Sequence, residues 1–140
     1  MKQEDKEILL KDICARLPYK VKCSFGVDDA IYEITGINPS ACGASEIQAT
    51  HVKSSINGDF KLNSCKPYLF PLSSMSEEQK REYRHRQHDI ELVDEWGDIV
   101  KEVGLFDSPE SFEYLIENHF DYRGLIPKGL AKDATNLNVY

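Results

Sequence analysis

Long apolar segments are missing from this chain of 140 residues. No run approaches the ~20 apolar residues that a helix needs to cross a bilayer. The segment Met1–Asp5 is charged where a secretion signal would be apolar. These absences argue against a membrane protein and a secreted protein, and we expect a soluble protein of the cytoplasm.

Paired cysteines are missing as well. The four cysteines are far apart and none belongs to a Cys-x-x-Cys pair; they are Cys14, Cys23, Cys42 and Cys65. In a reducing compartment such residues are usually small, buried apolar side chains. Cys14 on an apolar helix face and Cys23 in an alternating strand both fit that role. The pattern therefore argues against a cysteine metal site or redox site.

Catalytic and cofactor signatures are also absent. There is no Gly-x-Ser-x-Gly elbow, no phosphate loop of the form Gly-x-x-x-x-Gly-Lys-Ser/Thr and no Gly-x-Gly-x-x-Gly turn. A nucleophilic pair such as Cys65 with His51 or His119 has no supporting local pattern. We therefore expect no cofactor, and we favour a protein that binds a partner over an enzyme.

What is present is the composition of a globular domain. Hydrophobic residues make up 41% of the chain and charged residues 29%, which is typical of a folded protein. A length of 140 residues suits one domain. We predict a single domain over residues 1–140, with a β-rich part at about 1–72 and an acidic helical part at about 73–140.

The first part predicts a helix followed by short strands. Apolar residues recur at helical spacing over Gln3–Leu17, and Pro18 ends this helix. Alternating residues predict strands, and Asn57-Gly58-Asp59 predicts a hairpin turn. The segment Lys66–Pro71 is predicted to be an edge or exit segment, because proline cannot serve a central strand.

The second part predicts helices. A capping box at Ser74–Glu77 starts a helix over residues 77–93 that could extend to 103, with Trp96 in its buried stripe. Ser108-Pro109 starts another helix, and residues 121–140 resemble a loop with a mobile end. The predicted fold class is α+β: an N-terminal helix, a small antiparallel sheet of three to five strands, and two or three C-terminal helices.

Acidic charge is concentrated in the second part. Residues 1–72 hold nine basic and nine acidic side chains, whereas residues 73–140 hold eight basic and fifteen acidic ones. The acids could form a solvated face, or a surface that attracts a basic partner or occupies a nucleic-acid-binding groove in place of phosphate. The same field makes duplex DNA an unfavourable ligand. The candidate protein-binding residues are Asp94, Glu95, Asp98 and Glu102.

A basic and aromatic cluster precedes these acids. Arginine fits phosphate and tyrosine stacks on bases, so the cluster could hold a phosphate or a nucleotide. The alternative is a network within the helix with nearby glutamates at spacings of three or four residues. The candidate residues are Arg81, Tyr83, Arg84 and His85.

Histidines three residues apart raise the question of a metal. His85 and His88 could lie on one side of the predicted helix and bind zinc with Glu82 or Asp89, as in a metal-dependent hydrolase. No third ligand has a compelling position, and arginines flank His85. We therefore expect no metal.

The stretch Asp121-Tyr122-Arg123-Gly124 places an arginine beside an acid and an aromatic ring. An arginine held by a carboxylate and backed by tyrosine is oriented for an anion, which makes Tyr122 and Arg123 candidate ligand-binding residues. The alternative is that Asp121 and Arg123 attach the C-terminal loop to the core.

Three longer stretches are Leu9–Tyr19 (LLKDICARLPY), Lys66–Met75 (KPYLFPLSSM) and Phe120–Ile126 (FDYRGLI). Together they resemble a family of short uncharacterised proteins from phages and mobile elements of gut Bacteroides-type bacteria. Members tend to carry glycine where this chain has Lys20, so the start of the first strand is expected to differ. The resemblance implies an accessory gene product in the cytoplasm of a bacterial host, of a kind that often binds and neutralises a host component.

The leading hypothesis is a non-enzymatic binding protein that inhibits a host defence factor through its acidic helical surface. Its expected partner is a host protein with a basic surface. One alternative is a small-ligand or nucleotide-binding module that sequesters an anion with Arg81, Tyr83, Arg84 and Arg123. The other alternative is a metal-dependent hydrolase.

Overall fold

The computed structural model describes residues 1–26, 30–39 and 45–140, and for residues 39, 45, 89–93 and 99–106 it describes the backbone alone. The chain divides into two compact units. Unit 1 consists of Met1–Ser74 and His119–Tyr140, and unit 2 consists of Met75–Asn118. Unit 2 is therefore inserted between two parts of unit 1.

Unit 1 combines one α-helix with six strands within its described residues. In chain order they are α1 (Gln3–Arg16), β1 (Lys22–Ser24), β2 (Tyr32–Pro39), β3 (Ser45–His51), β4 (Asn57–Lys61), β5 (Lys66–Leu69) and β8 (Lys132–Asp133). Unit 2 contains α2 (Glu77–Arg86), β6 (His88–Val93), β7 (Ile99–Phe106) and α3 (Pro109–Glu117). The protein is α+β and begins with a helix, as its sequence pattern predicted.

The sheet of unit 1 has the strand order β4-β3-β2-β1-β5-β8 among the described strands. All neighbours are antiparallel except β5 and β8, which pair in parallel with Tyr68 opposite Lys132. The predicted antiparallel sheet of three to five strands is therefore wrong in both details. The sequence did not reveal β8 because Lys132 and Asp133 form no alternating pattern.

Strand β5 lies inside this sheet, so the prediction that Lys66–Pro71 is an edge or exit segment is wrong. Lys66 and Pro67 pair with β1, whereas Tyr68 and Leu69 pair with β8. The two neighbouring strands thus use different residues of β5. A proline is tolerated here because the ladder to β8 does not include it.

The main core lies in unit 1. Leu9 and Ile13 of α1 are fully buried and share one apolar cluster with the strands. Cys23 and Cys65 lie in this cluster, as predicted, and burial raises the pKa of the Cys23 thiol, with further contributions from Cys65. Cys14 is exposed, which corrects its predicted burial. It follows Ile13 by about 100° around the helix and so leaves the buried face.

Cys42, the fourth cysteine, lies outside the described residues.

Helix α1 ends at Arg16, and a 3-10 turn with Pro18 follows it. Lys20 then adopts a left-handed conformation with a φ of 57°. This conformation favours glycine, so the lysine just before the first strand adopts it at some cost.

The predicted turn at Asn57-Gly58-Asp59 is part of strand β4 instead. The chain reverses at residues 52–54, ahead of it. Gly58 serves a different purpose from a turn: a Cβ atom there would lie 2.9 Å from Cε2 of Phe60. The ring of Phe60 stacks on Phe25 at 3.9 Å between centroids, so glycine makes room for an aromatic cluster.

In unit 2, α2 ends at Arg86, and the predicted continuation of this helix to residue 93 or 103 is wrong. Residues 88–93 and 99–106 pair as an antiparallel hairpin. The alternation of Ile90 and Leu92 with acidic residues was the missed strand signal. Gln87 is extended, with a ψ of 155°, and the Ser108 hydroxyl donates to the Arg86 carbonyl oxygen at 2.5 Å, which caps the helix.

Both helices of unit 2 begin with a capping box. At α2 the N-cap is Ser76, whose side chain accepts from the Gln79 N–H, so the predicted Ser74–Glu77 pair is displaced by two residues. At α3 the N-cap is Ser108 and Pro109 follows it, as predicted. Among the described residues, no helix is both long enough and apolar enough to cross a bilayer.

Candidate functional site

Unit 2 carries the acidic excess of the whole chain. It holds thirteen acidic and five basic residues, a formal charge of −8, whereas unit 1 holds eleven acidic and twelve basic residues, a formal charge of +1. The excess is therefore confined to a single compact unit. Its potential extends over about one Debye length, ~8 Å at physiological salt.

The hairpin of unit 2 reverses through a hydrogen-bonded turn, residues 94–98, which we call the acidic turn. Asp94 Oδ1 accepts from the N–H groups of Trp96 and Asp98, each at 2.9 Å. The Asp94 N–H donates to the Asp98 carbonyl oxygen at 2.9 Å. Gly97 has a φ of 85°, a value that suits glycine. The Asp94 carboxylate thus fixes the shape of the turn.

Trp96 projects from the acidic turn into solvent. Its side chain is 79% exposed, more than any other large hydrophobic residue in the described part of the chain. Its predicted place in the buried stripe of a helix is wrong, because residues 94–98 form the turn of a hairpin. Tryptophan is enriched at the energetic centres of protein interfaces, so its display makes the turn a candidate contact.

The predicted protein-binding acids fall at and near this turn. Asp94 is half-buried and serves the turn itself, whereas Glu95 and Asp98 are exposed on either side of Trp96. Glu102 belongs to β7, and its side chain lies outside the described residues.

The predicted basic cluster lies on α2. Arg81, Arg84 and His85 are exposed. Arg81 and His85 border an open depression of about 640 Å³, which Glu78 and Glu82 also line. Two carboxylates therefore accompany one arginine and one histidine in this depression, which has no excess of positive charge.

The alternative network of ion pairs within the helix is present in part. Lys80 Nζ lies 3.2 Å from Glu77 Oε1, and Arg86 Nε donates to Glu82 Oε1 at 2.9 Å. The Arg86 guanidinium also lies 5.0 Å from the centroid of the Tyr114 ring. Glu77 and Glu82 therefore pair with basic residues of α2 itself. The contact between Arg86 and Tyr114 connects α2 to α3.

Tyr83 has a structural contact within unit 2. Its hydroxyl donates to the Asp107 carboxylate, which also accepts from Ser111 Oγ at 3.0 Å and Gln87 Nε2 at 3.3 Å. Burial, with the Asp107 hydrogen bond and charge adding to it, raises the pKa of Tyr83 to about 12. Tyr83 therefore helps to join α2, which precedes the hairpin, to Asp107, which follows it.

The two candidate histidines do not share a helix face. His85 is on α2, whereas His88 begins β6. His88 Nε2 lies 3.9 Å from Glu110 Oε2, and both side chains are more than half exposed. Within the described residues no group of three or more side chains could hold a metal ion.

In unit 1, Tyr122 and Arg123 lie in a polar cluster with Asp12 and Arg16. Arg16 donates from Nε and Nη2 to the two oxygens of Asp12, at 2.8 and 3.1 Å, and from Nη2 to the Phe120 carbonyl oxygen at 2.6 Å. Arg123 Nε lies 3.5 Å from Asp12 Oδ1. We call Asp12, Arg16, Tyr122 and Arg123 the arginine cluster.

The acid that faces Arg123 is thus Asp12 and not its neighbour Asp121. The Asp121 carboxylate accepts from the N–H groups of Leu125 and Ile126, at 2.8 and 2.9 Å. Asp121 therefore shapes the C-terminal loop by itself. Arg123 also lies over the Tyr122 ring, at 4.9 Å from its centroid.

The C-terminal segment is anchored, which corrects its predicted mobility. The Tyr140 hydroxyl donates to the Tyr68 carbonyl oxygen at 2.8 Å and accepts from the Lys22 N–H at 2.9 Å. The ring of Tyr140 stacks on His119 with 3.8 Å between centroids. Burial, with the charges of Arg16 and Lys22, lowers the pKa of His119 to about 4.

Three stretches, Leu9–Tyr19, Lys66–Met75 and Phe120–Ile126, come together in unit 1, except that Met75 belongs to unit 2. Leu9–Tyr19 supplies Asp12 and Arg16, which contact Phe120–Ile126 through the arginine cluster. The N–H of Phe70 donates to the His119 carbonyl oxygen, and the Asp121 N–H donates to the Phe70 carbonyl oxygen, each at 2.8 Å. No family model, curated protein or solved structure matches the chain.

Proposed function

We propose that this chain is a non-enzymatic binding protein that docks through unit 2 on a basic surface of another protein. The observation that carries the proposal is the acidic turn, where Trp96 is 79% exposed in a unit with a formal charge of −8. The negative charge of unit 2 attracts a basic partner. The exposed tryptophan offers that partner a contact that contributes strongly to the free energy of binding.

The negative charge of unit 2 and the ring of Trp96 favour the same kind of partner. Lysine and arginine side chains are attracted to acidic side chains at long range, which raises the rate of association. At contact, a lysine or arginine cation that lies over the face of a tryptophan ring stabilises the complex by about 0.5–2 kcal/mol. Glu95 and Asp98 flank Trp96 in the chain, so one arginine or lysine of a partner can use both interactions.

The geometry of the acidic turn favours binding because few of its residues have to become ordered when a partner binds. Two hydrogen bonds that Asp94 Oδ1 accepts hold the turn before any partner arrives. A loop that is already in its bound conformation avoids part of the entropy loss on association. Asp94 therefore supports binding through the backbone, whereas Glu95, Trp96 and Asp98 supply the contacts.

The family resemblance suggests where such a partner is found. We propose that the chain is an accessory product of a phage or mobile element, that it acts in the cytoplasm of the bacterial host, and that its partner is a host defence factor with a basic surface. An inhibitor needs affinity for its target and no reaction of its own, which agrees with the lack of catalytic motifs in the sequence.

Affinity capture from host lysate tests the proposal. The purified chain is immobilised and exposed to lysate at about 0.05 M and about 0.5 M NaCl, since salt screens exposed charges. We expect a basic protein to be retained at low salt and largely lost at high salt. The affinity of the captured protein for the free chain and for each variant is then measured by isothermal titration calorimetry.

Matched variants connect the capture to the acidic turn. Trp96→Ala should weaken binding of the captured protein by about 2–4 kcal/mol, and the double variant Glu95→Lys with Asp98→Lys should abolish the salt-sensitive part. Asp59→Lys, at an exposed acid of unit 1, is the control and should bind normally. Equal capture by all these variants, or no basic protein at either salt, contradicts the proposal.

A further inference from the structure

The arginine cluster contains two arginines and one acid. Within the described part of the chain, Asp12 is the one carboxylate within 4.0 Å of the guanidinium nitrogens of Arg16 or Arg123. Arg16 occupies both of its oxygens, and Arg123 approaches one of them at 3.5 Å. One positive charge is therefore in excess, in a place where Arg16 is fully buried.

Unpaired nitrogen atoms gather at the same place. Among the described residues, the buried side-chain nitrogens without a hydrogen-bond partner are Arg16 Nη1, Arg123 Nε and His119 Nδ1. A buried donor or acceptor that lacks a partner costs about 1–3 kcal/mol. Two of these three atoms belong to the arginine cluster, and the charge of Arg16 acts on the third residue, His119. The cluster therefore contains more donors than Asp12 and the Phe120 carbonyl oxygen use.

Arg123 is the member of the cluster that a ligand can reach. Its side chain is 31% exposed, and the Tyr122 ring supports one face of the guanidinium at 4.9 Å. Asp12 lies 3.5 Å from Nε, which leaves the edge formed by the two terminal nitrogens for a ligand. An arginine held in this way offers a preformed fork and loses little conformational entropy when it binds.

We propose that Arg123, with Arg16 behind it, binds an oxyanion. The ligand is a carboxylate or a phosphate ester that places two oxygens against the terminal nitrogens of the guanidinium, the geometry in which arginine binds such groups. Arg16 competes for Asp12 and so leaves the charge of Arg123 incompletely neutralised. This site lies in unit 1 and is independent of the acidic turn in unit 2.

Titration of the ¹⁵N-labelled full chain with inorganic phosphate, and separately with acetate, tests this site. Sodium chloride keeps the ionic strength constant, and the Nε–Hε resonance of Arg123 is followed by NMR spectroscopy. We expect a saturable shift of this resonance. A stronger response to phosphate identifies a phosphate ligand, and a stronger response to acetate identifies a carboxylate ligand.

Two variants separate a specific site from general ionic effects. Arg123→Lys keeps the charge but removes the fork, and should weaken binding by about tenfold; in this variant the backbone amides of residues 124–126 report binding. Lys128→Gln removes an exposed charge nearby in the sequence and should leave binding unchanged. A shift that grows linearly and is the same with chloride, or an undiminished response in Arg123→Lys, overturns the proposal.

Discussion

Arg16 donates two hydrogen bonds to Asp12, one helical turn earlier on α1, and both residues are removed from solvent, with exposures of 0% and 1%. A third hydrogen bond joins Arg16 to the Phe120 carbonyl oxygen, more than a hundred residues along the chain. The pair therefore attaches the C-terminal segment of unit 1 to its first helix.

Breaking this ion pair should destabilise unit 1 strongly. Arg16→Met leaves the buried carboxylate of Asp12 with Arg123 alone and leaves the Phe120 carbonyl without its donor. We expect a loss of about 3–5 kcal/mol in the free energy of unfolding, which is typical of a buried charge that loses its partner. Urea denaturation followed by circular dichroism measures this loss.

The double variant Asp12→Leu with Arg16→Met supplies the control. It removes both charges and replaces them with apolar side chains, so its loss should be smaller than that of Arg16→Met. A loss below about 1 kcal/mol for the single variant, the range of exposed pairs, would show that the pair is solvated after all.

Stability should fall at acidic pH because of His119. Its pKa is lowered from 6.5 to about 4 in the folded chain, so between these values the unfolded chain binds a proton that the folded chain does not. The free energy of unfolding therefore decreases as the pH falls from 6.5 towards 4, by up to about 3 kcal/mol, and this contribution is constant above that window.

His119→Asn isolates this contribution from that of the carboxylates. Asparagine does not titrate, and it tolerates the positive φ of 62° at this position. The difference in urea midpoint between pH 7 and pH 4.5 should be smaller in the variant than in the natural chain. The same pH dependence in both proteins would assign the effect to other groups.

Two glycines of the sheet should respond oppositely to alanine. In Gly58→Ala the new Cβ meets the Phe60 ring at 2.9 Å, and Phe25 and Tyr32 pack against that ring. The ring cannot move freely, so we expect a loss of about 1–3 kcal/mol from overpacking. Thermal unfolding of the variant measures this loss.

Gly36→Ala is the matched comparison. Its Cβ would meet Oε1 of Gln48 at 2.8 Å, the end of a flexible side chain that can move aside. Alanine also has less freedom than glycine in the unfolded chain, which favours the variant by about 0.5–1 kcal/mol. We expect an unchanged or raised melting temperature, and a fall as large as that of Gly58→Ala would contradict this explanation.

Collisional quenching should reveal the field around Trp96. The exposed ring lies between acidic neighbours, which attract cations and repel anions. Caesium should therefore quench the fluorescence of Trp96 more efficiently than iodide does, relative to free tryptophan at the same ionic strength. The double variant Glu95→Lys with Asp98→Lys should reverse the order. Equal quenching by both ions in the natural chain would mean that the local potential is weak.

The sequence predicted those elements whose signals are local. The spacing of Leu9 and Ile13 defined α1, and Ser108-Pro109 defined the start of α3. It did not predict the hairpin of unit 2, because the apolar residues of 88–106 also fit a helical period and the capped helix before them supported that choice. Periodicity alone does not distinguish such segments.

Long-range pairing explains the other differences. The partner of Arg123 is Asp12, which is far away in the chain, whereas the sequence offered the adjacent Asp121. Likewise, β8 forms because β5 has a free side at Tyr68 and Leu69, with which Lys132 and Asp133 can pair. The helical spacing of Trp96 with Val93 and Ile99 predicted a buried position, whereas its exposure depends on a turn that Asp94 organises.

The insertion of unit 2 between Ser74 and His119 sets an order for folding on the ribosome. Domains tend to fold as units while the chain is being synthesised. Residues 75–118 are synthesised before Phe120 and β8, so the sheet of unit 1 gains its last strand only after unit 2 has been made. The nascent chain therefore holds an unfinished sheet throughout synthesis of the acidic unit, and a stalled product that ends before residue 119 would expose its apolar face to chaperones and proteases.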